Sequence, residues 1–260
     1  MCFWRRGDIT AKTPKERRVG KGSLDAAVLR FPLHFRIQHF LLIISVTLLV
    51  LSAIPLWATR YPFSGWPAGV IDQFGGLEAV RAIHRRAGFL LIFTFAYHLL
   101  YVLIHPDGRR DFLLMLPTKK DFADLFQNLS YFLGKSQKPP RFGRFAYFEK
   151  FDYWAMFWGC VIMIGTGIIM LYSQTVAAVL PPTWTNAVLG VAREAHYHEA
   201  ILAALALFIW HVFNVHFKPG KFPGSLVWWH GRITREEQEK EHPLEHEEMV
   251  SVSALNKEIL

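Results

Sequence analysis

The chain has 260 residues, 52% hydrophobic, 15% aromatic and 19% charged, with a formal net charge of +8. It is too apolar for an ordinary soluble domain and too charged to lie wholly in lipid, and the two characters are segregated along the chain. The positive charge is therefore a topology signal and no argument for nucleic acid as a partner. Two cysteines, Cys2 and Cys160, exclude a disulfide framework, an iron-sulfur ligand set and covalent c-type haem attachment.

Residues 1–30 read as a basic cytoplasmic arm, because MCFWRRGDITAKTPKERRVGKGS has no apolar run and is no cleaved secretory signal. Uncharged apolar stretches follow at 37–58, 87–104, 153–172 and 200–217. Each is near the roughly 20 residues that cross a hydrocarbon core, which predicts an all-α integral membrane protein, a four-helix bundle with short outer connections. The first outer loop is turn-rich, with Pro62, Gly65, Pro67, Gly69, Gly75 and Gly76, and carries Trp57 and Trp66 near the interface; the second contains Pro181, Pro182 and Trp184. Between the second and third spans, Phe122, Leu125, Phe126, Leu129 and Phe132 recur behind Lys119 and Lys120. The spacing predicts an amphipathic cytoplasmic helix near 119–133, lying on the membrane surface or packed on the end of the bundle. The four-span domain covers 31–229, and 230–260 is a charged cytoplasmic tail.

Lys and Arg give the orientation. Nine precede His39, nine lie within 105–150 and six follow Phe217, against four in 59–86 and one, Arg193, in 173–198. By the positive-inside bias both termini are cytoplasmic.

Histidine inside lipid is costly without a partner or a metal. His84 and His98 stand fourteen residues apart on the second span, His196 and His211 fifteen apart on the fourth. These steps rise about 21 and 22.5 Å and return to within about 40° and 60° of their starting azimuth. Each pair lines one face of its helix at two matching depths, which suits axial ligation of non-covalently held haem between the helices of a bundle. His198, thirteen residues from His211, falls on nearly the opposite side, so His196 is preferred for the outer layer. His39, at the inner start of the first span, also reaches the inner layer, where His39, His98 and His211 all remain candidates. One of them is left to serve a quinone hydroxyl or an additional haem. His34, His105 and His216 read as solvated or interfacial. Arg85, Arg86 and Arg193, near the outer layer, suit haem propionates or lipid headgroups. Gly88, Gly159, Gly165 and Gly167 permit close approach of a macrocycle or a neighbouring helix.

RIQHF, IHRRAG, YWAMFWGCVIMIGTGIIM and HEAILAALALFIWH together resemble the gamma (cytochrome b) subunits of formate dehydrogenases, and more broadly the b-type cytochromes of nickel-iron hydrogenases and thiosulfate reductases, over about 31–243. The resemblance implies four helices carrying two b haems, with His84 and His196 on the outer one and His39 and His211 on the inner one. His98 is not a ligand position in that pattern. AYFEKFDYW, entering the third span, lacks the Asn and Gly of the family's quinone pocket, which leaves Tyr147, Glu149 and Lys150 as local polar candidates.

The expectation is a dihaem cytochrome b of the cell inner membrane, the electron-transfer subunit of a respiratory oxidoreductase. It would pass electrons between menaquinone or ubiquinone near the cytoplasmic face and a periplasmic multihaem c-type cytochrome or iron-sulfur subunit. A metal-ion transporter using intramembrane histidines is the alternative, disfavoured because the spans lack Asp and Glu except at their ends. A plain membrane anchor with packed histidines leaves the matched layers unexplained. Quinone type, direction of flow, terminal partner and oligomeric state are not written in these residues.

Overall fold

The computed structural model describes residues 27–59, 66–218, 221–222 and 224–259. The arm before residue 27 with Cys2, and Pro62 and Gly65 of the first outer loop, lie outside these described residues, as do the side chains of Trp66 and Pro67. Four helices are long and apolar enough to cross a membrane: α1 (Leu33–Ala58), α3 (Leu77–Ile104), α6 (Tyr147–Leu171) and the span Pro182–Phe217. The last comprises α8 (Pro182–Leu205) continued by wider i→i+5 turns over Ala206–His211 and Phe213–Phe217. A short α2 (Trp66–Gln73) joins the first two spans, and α7 (Ser173–Val179) joins the last two.

Each helix starts several residues before the uncharged stretch that marks it in the sequence. Charged residues at those ends extend the helix without breaking it. In α6, for instance, the Glu149 carboxylate accepts from the Ala146 backbone N–H at 2.8 Å and so caps the new end. The interior of the spans is mostly small or polar, with Gln38, Ser45, Ser52, Ala87, Thr94, Gly159 and Cys160 buried beside Val80 and Leu91, while Phe93, Leu103, Ile104 and Ile209 face outward. That inversion is what lipid asks for, since apolar side chains gain nothing by leaving it and polar ones must be satisfied inside. Ser52 and Thr94 meet the demand locally, donating to the carbonyls of Leu48 at 2.6 Å and Leu90 at 2.8 Å.

The bundle is two close helix pairs, α1 on α3 and α6 on α8, with α3 also touching α6. Among the described residues, α8 has no comparably close backbone packing on α1 or α3. Side chains bridge that gap.

Both described ends of the chain meet at one end of the bundle, here called the terminal end. β1 (Val28–Leu29) pairs antiparallel with β2 (Arg232–Ile233). Covering this end are α4 (Pro106–Met115), α5 (Lys119–Phe132), α9 (Val227–His230), α10 (Arg235–Glu241) and α11 (Pro243–Ile259). Two guanidiniums, Arg30 buried and Arg144 half-buried, fasten them. Arg144 donates to Asp111 through Nε and Nη2, both at 3.1 Å, to Glu245 at 2.9 Å and to the Arg30 carbonyl. Arg30 in turn reaches Glu149 and Glu245, each at 3.3 Å, and the Arg144 carbonyl. Charges so shielded from water persist because each is paired and hydrogen-bonded. Desolvation opposes the Arg144 charge, but its bonds to Asp111 and Glu245 outweigh this and raise its pKa.

α5 is amphipathic, with its polar side turned inward. Lys150 bonds Asp121 at 2.9 Å and Asn128 donates to Tyr147 Oη at 2.8 Å, whereas Phe122, Phe126, Leu129 and Phe132 are exposed. The polar face docks on the start of the third span, and the apolar face is left toward the surroundings.

Candidate functional site

The gap between α8 and the first helix pair is crossed at two levels by facing histidines. His84 of α3 meets His196 of α8 with ring centroids 6.4 Å apart and planes at 67°. His39 of α1 meets His211 with centroids again 6.4 Å apart and planes at 52°. Metal–imidazole bonds are about 2.0 Å long and a ligating nitrogen lies about 1.1 Å from its ring centre, so two rings trans on one metal have centres about 6.3 Å apart. Both pairs stand at that separation. The levels are well spaced: Ser52, which bonds His84, lies thirteen residues beyond His39 on the same helix, a rise of about 19.5 Å.

The protonation of the upper pair follows from its partners. Ser52 Oγ already donates its single proton to the Leu48 carbonyl at 2.6 Å, so at 2.9 Å from His84 Nδ1 it accepts from Nδ1–H. Thr166 does the same on the other side, donating to the Ile162 carbonyl at 2.6 Å and accepting from His196 Nδ1–H at 2.9 Å. Both imidazoles are thereby held as the tautomer whose Nε2 lone pair is free, the form that a metal accepts. In the lower pair Asp152 Oδ2 stands 3.3 Å from His211 Nδ1 and exerts the same constraint. His39 Nδ1 is buried and lacks a hydrogen-bond partner among the described residues; its ring lies against Phe35 and Trp228. Gly167 borders the His196 ring, where a Cβ would touch Cε1 at 3.4 Å, an ordinary contact distance.

His98 does not join either pair. Its Nδ1 donates to Gln38 Oε1 and its Nε2 accepts from the Tyr153 hydroxyl, both at 2.9 Å, so neither nitrogen is free. The fourteen-residue step from His84 leaves His98 turned toward α1 and α6, away from His211. The wider turns over Ala206–His211 matter on the facing helix, since they rotate each residue by less than the 100° of an α-helix and draw back the 60° lead estimated for His211.

Arg85, Arg86 and Arg193 are exposed near the upper pair, and Arg85 lies 3.8 Å from Glu78. His198 points outward, bonded to the Glu194 carbonyl. Tyr147, Glu149 and Lys150 are not grouped around a shared opening. Tyr147 holds Asn128, Glu149 caps α6 and binds Arg30, and Lys150 donates to Asp121 and the Leu116 carbonyl. Missed in the sequence were the hydroxyl partners Ser52 and Thr166, which carry no signal there beyond being polar within an apolar run.

The donor set fits haem. Each level offers two imidazoles facing across a gap, and among the described residues no cluster of three or more His, Cys, Asp or Glu side chains is poised for a metal ion. A transporter or structural site for a zinc-like cation needs three or four protein donors, whereas haem iron, already held by its porphyrin, takes two axial ligands.

Comparison with known proteins agrees. Residues 5–118 match the family model of the prokaryotic cytochrome b561 proteins, a stretch that holds the first two spans with His39 and His84. The chain is also 23% identical over 238 residues, 92% of its length and 90% of the relative's, to the formate dehydrogenase cytochrome b556 subunit of Haemophilus influenzae.

Proposed function

We propose that this chain, similar in its first two spans to the cytochrome b561 family and nearly end to end to a formate dehydrogenase cytochrome b subunit, is the membrane electron-transfer subunit of an oxidoreductase of that kind. It carries two b haems, one on His84 and His196 and one on His39 and His211. The observation that carries this reading is the pair of 6.4 Å imidazole separations, with Nδ1 of three of the four rings anchored.

Iron porphyrin bound at these pairs supplies reversible one-electron chemistry. The chain's own residues do the rest. Ser52, Thr166 and Asp152 orient the imidazoles and keep Nε2 unprotonated, and the outward-facing apolar side chains of the spans keep the two levels inside lipid. Arg85, Arg86 and Arg193 stand at the height of the upper pair, where guanidinium forks match propionates.

Charge bias puts the terminal end in the cytoplasm, so the two levels span much of the inner membrane. Electrons pass between a quinone pool served at the lower level and a periplasmic redox partner at the upper. The chain offers no iron-sulfur or c-type haem motif of its own, so that partner is another subunit, an iron-sulfur protein or a multihaem c-type cytochrome.

The test is a reduced-minus-oxidised spectrum with a pyridine haemochrome count on protein made with ample haem. Two b haems per chain are expected, one after His196→Ala and one after His39→Ala. Folded protein without b haem would overturn the reading.

A further inference from the structure

His98 is the one histidine deep in the spans that the paired sites leave unused, and it borders a small cavity beneath α4. The cavity is lined mainly by apolar atoms, with Phe35, Phe112, Met115 and Phe145 among them. Its polar lining is Gln38, His98, Tyr101, Asp111 and Tyr153. Two of these are donors in want of an acceptor. Gln38 Nε2 and the Tyr101 hydroxyl are buried and have no hydrogen-bond partner among the described residues, and Gln38 as a whole is only 7% exposed. Leaving such a donor unmet costs about 1–3 kcal/mol, so two of them on different helices around one space call for a ligand that accepts hydrogen bonds.

Size decides which ligand. The free space is about 40 Å³, whereas a water needs about 10–15 Å³ and sites for drug-sized organic ligands run to about 300 Å³ or more. A water or two fits; a quinone ring does not.

We propose that this cavity holds ordered water and forms a proton relay from the terminal face of the protein to His98. It deepens the function proposed above, on which it rests for its purpose, because quinone chemistry exchanges two protons for every two electrons. The entry is at Asp111 and Tyr101. The outer side of the Asp111 carboxylate is held by Arg144, and the Tyr101 ring is stacked on His105 at 5.0 Å and on His34 at 5.3 Å, with His34 Nδ1 bonded to Tyr97 Oη at 2.7 Å. Inside, cavity water bridges Tyr101, Gln38 and Tyr153.

The transfer balances without any further reactant. An excess proton on the water bonds to the Tyr153 oxygen as that phenol passes its own proton to His98 Nε2, so the water is left neutral and the phenol unchanged. His98 gains one N–H bond without moving, since its Nδ1–H stays on Gln38 Oε1 and its new Nε2–H stays on the Tyr153 oxygen. Gln38 from α1 and Tyr153 from α6 bond this imidazole, and Tyr101 from its own helix and Asp111 from α4 share the cavity with it. Asp111 is the one anion among them. Phe35 lines the cavity and lies parallel to the His39 ring, 6.3 Å between centroids at 8°, so the relay ends beside the lower histidine pair.

The experiment uses the full chain, haem-loaded, in nanodiscs of phosphatidylcholine and phosphatidylglycerol, with ¹⁵N-labelled histidine. The His98 ring N–H should exchange into D2O at least tenfold faster in the natural protein than in Tyr101→Phe or Tyr153→Phe. An infrared O–H band sensitive to H2¹⁸O should be present and should vanish in Gln38→Leu. Tyr101→Phe removes an oxygen that no described group bonds, so the variant keeps every protein hydrogen bond and folds. Unchanged exchange in both tyrosine variants, or labelling of Tyr101 or Phe35 by an azidoquinone, would overturn the relay. Haem content measured on the same samples reads the function separately, so either idea can fail alone.

Discussion

Thr166 touches no cofactor, yet replacing it tests the reasoning about the upper histidine pair most directly. Its hydroxyl is spoken for on both sides: the proton goes to the Ile162 carbonyl and a lone pair receives His196 Nδ1–H. Thr166→Val keeps the branched shape and removes only that oxygen, so Nδ1–H is left facing a methyl group within the bundle. An unmet buried donor costs about 1–3 kcal/mol, and at 1.4 kcal/mol per tenfold this is about a 5- to 150-fold loss of affinity at the upper site. The figure sits beside the 10–100-fold that loss of an outer partner commonly costs a metal–histidine site. The assay is transfer of haem from the purified variant to excess apomyoglobin, followed optically. The upper haem should leave faster by that factor, while the haem on His39 and His211, whose partners are untouched, serves as internal control. If both haems leave Thr166→Val at the natural rate while His196→Ala lacks the upper one altogether, the tautomer argument is wrong.

Three further outcomes follow from the same geometry. His39→Ala should lose the lower haem and His98→Gln should keep both, counted by pyridine haemochrome; loss of a haem in His98→Gln would reassign the lower ligand. Arg144→Met removes the partner of half-buried Asp111 and Glu245 and should cost about 1–3 kcal/mol, releasing α10 and α11 to limited proteolysis while the spans stay intact. His242, outside the spans, donates from Nδ1 to the Gly143 carbonyl at 2.8 Å, and burial, followed by the nearby Arg30 charge, holds its pKa below the ordinary 6.5. A base so depressed contributes stability that is complete above 6.5 and declines as pH falls below it, because the unfolded segment then binds the proton first. Hydrogen exchange across 235–259 should accelerate below that pH, and His242→Gln should remove the dependence.

The four spans were legible because lipid imposes a length and a composition that any apolar run of about 20 residues displays. Their beginnings were not. Arg81, Arg85, Arg86, Glu149 and Lys150 all lie within helices, yet composition reads each as the end of an apolar stretch. A helix needs only its backbone satisfied, and charged side chains at its ends reach water or a partner without interrupting it. The surface helix over Lys119–Phe132 was visible as a periodicity, but which side faces inward depended on Lys150 and Tyr147, twenty-nine and nineteen residues from their partners Asp121 and Asn128. No local pattern encodes that.

The lower histidine layer shows where periodicity stops informing. Spacing along one helix tells which side chains share that helix's face, so it groups His84 with His98 and His196 with His211. Ligation needs the other relation, which residues of different helices face one another, and that depends on how α1, α3 and α8 are rotated in the bundle. The rotation is set by what each helix must bury. α1 turns Gln38, Ser45 and Ser52 inward at seven-residue intervals, a face that also carries His39 beside Gln38. Once Ser52 is pinned to His84, thirteen residues of straight helix bring His39 to the level of His211, and Gln38 is left one position aside to take His98. The amide and the imidazole on either side of that one-residue offset are thus sorted by azimuth alone, the first toward a polar network with Tyr153 and the second toward the facing pair. A Gln38→His change in a His39→Ala background therefore should not restore the lower haem, because the new imidazole would point at His98 and Tyr153 across a cavity too small for a macrocycle.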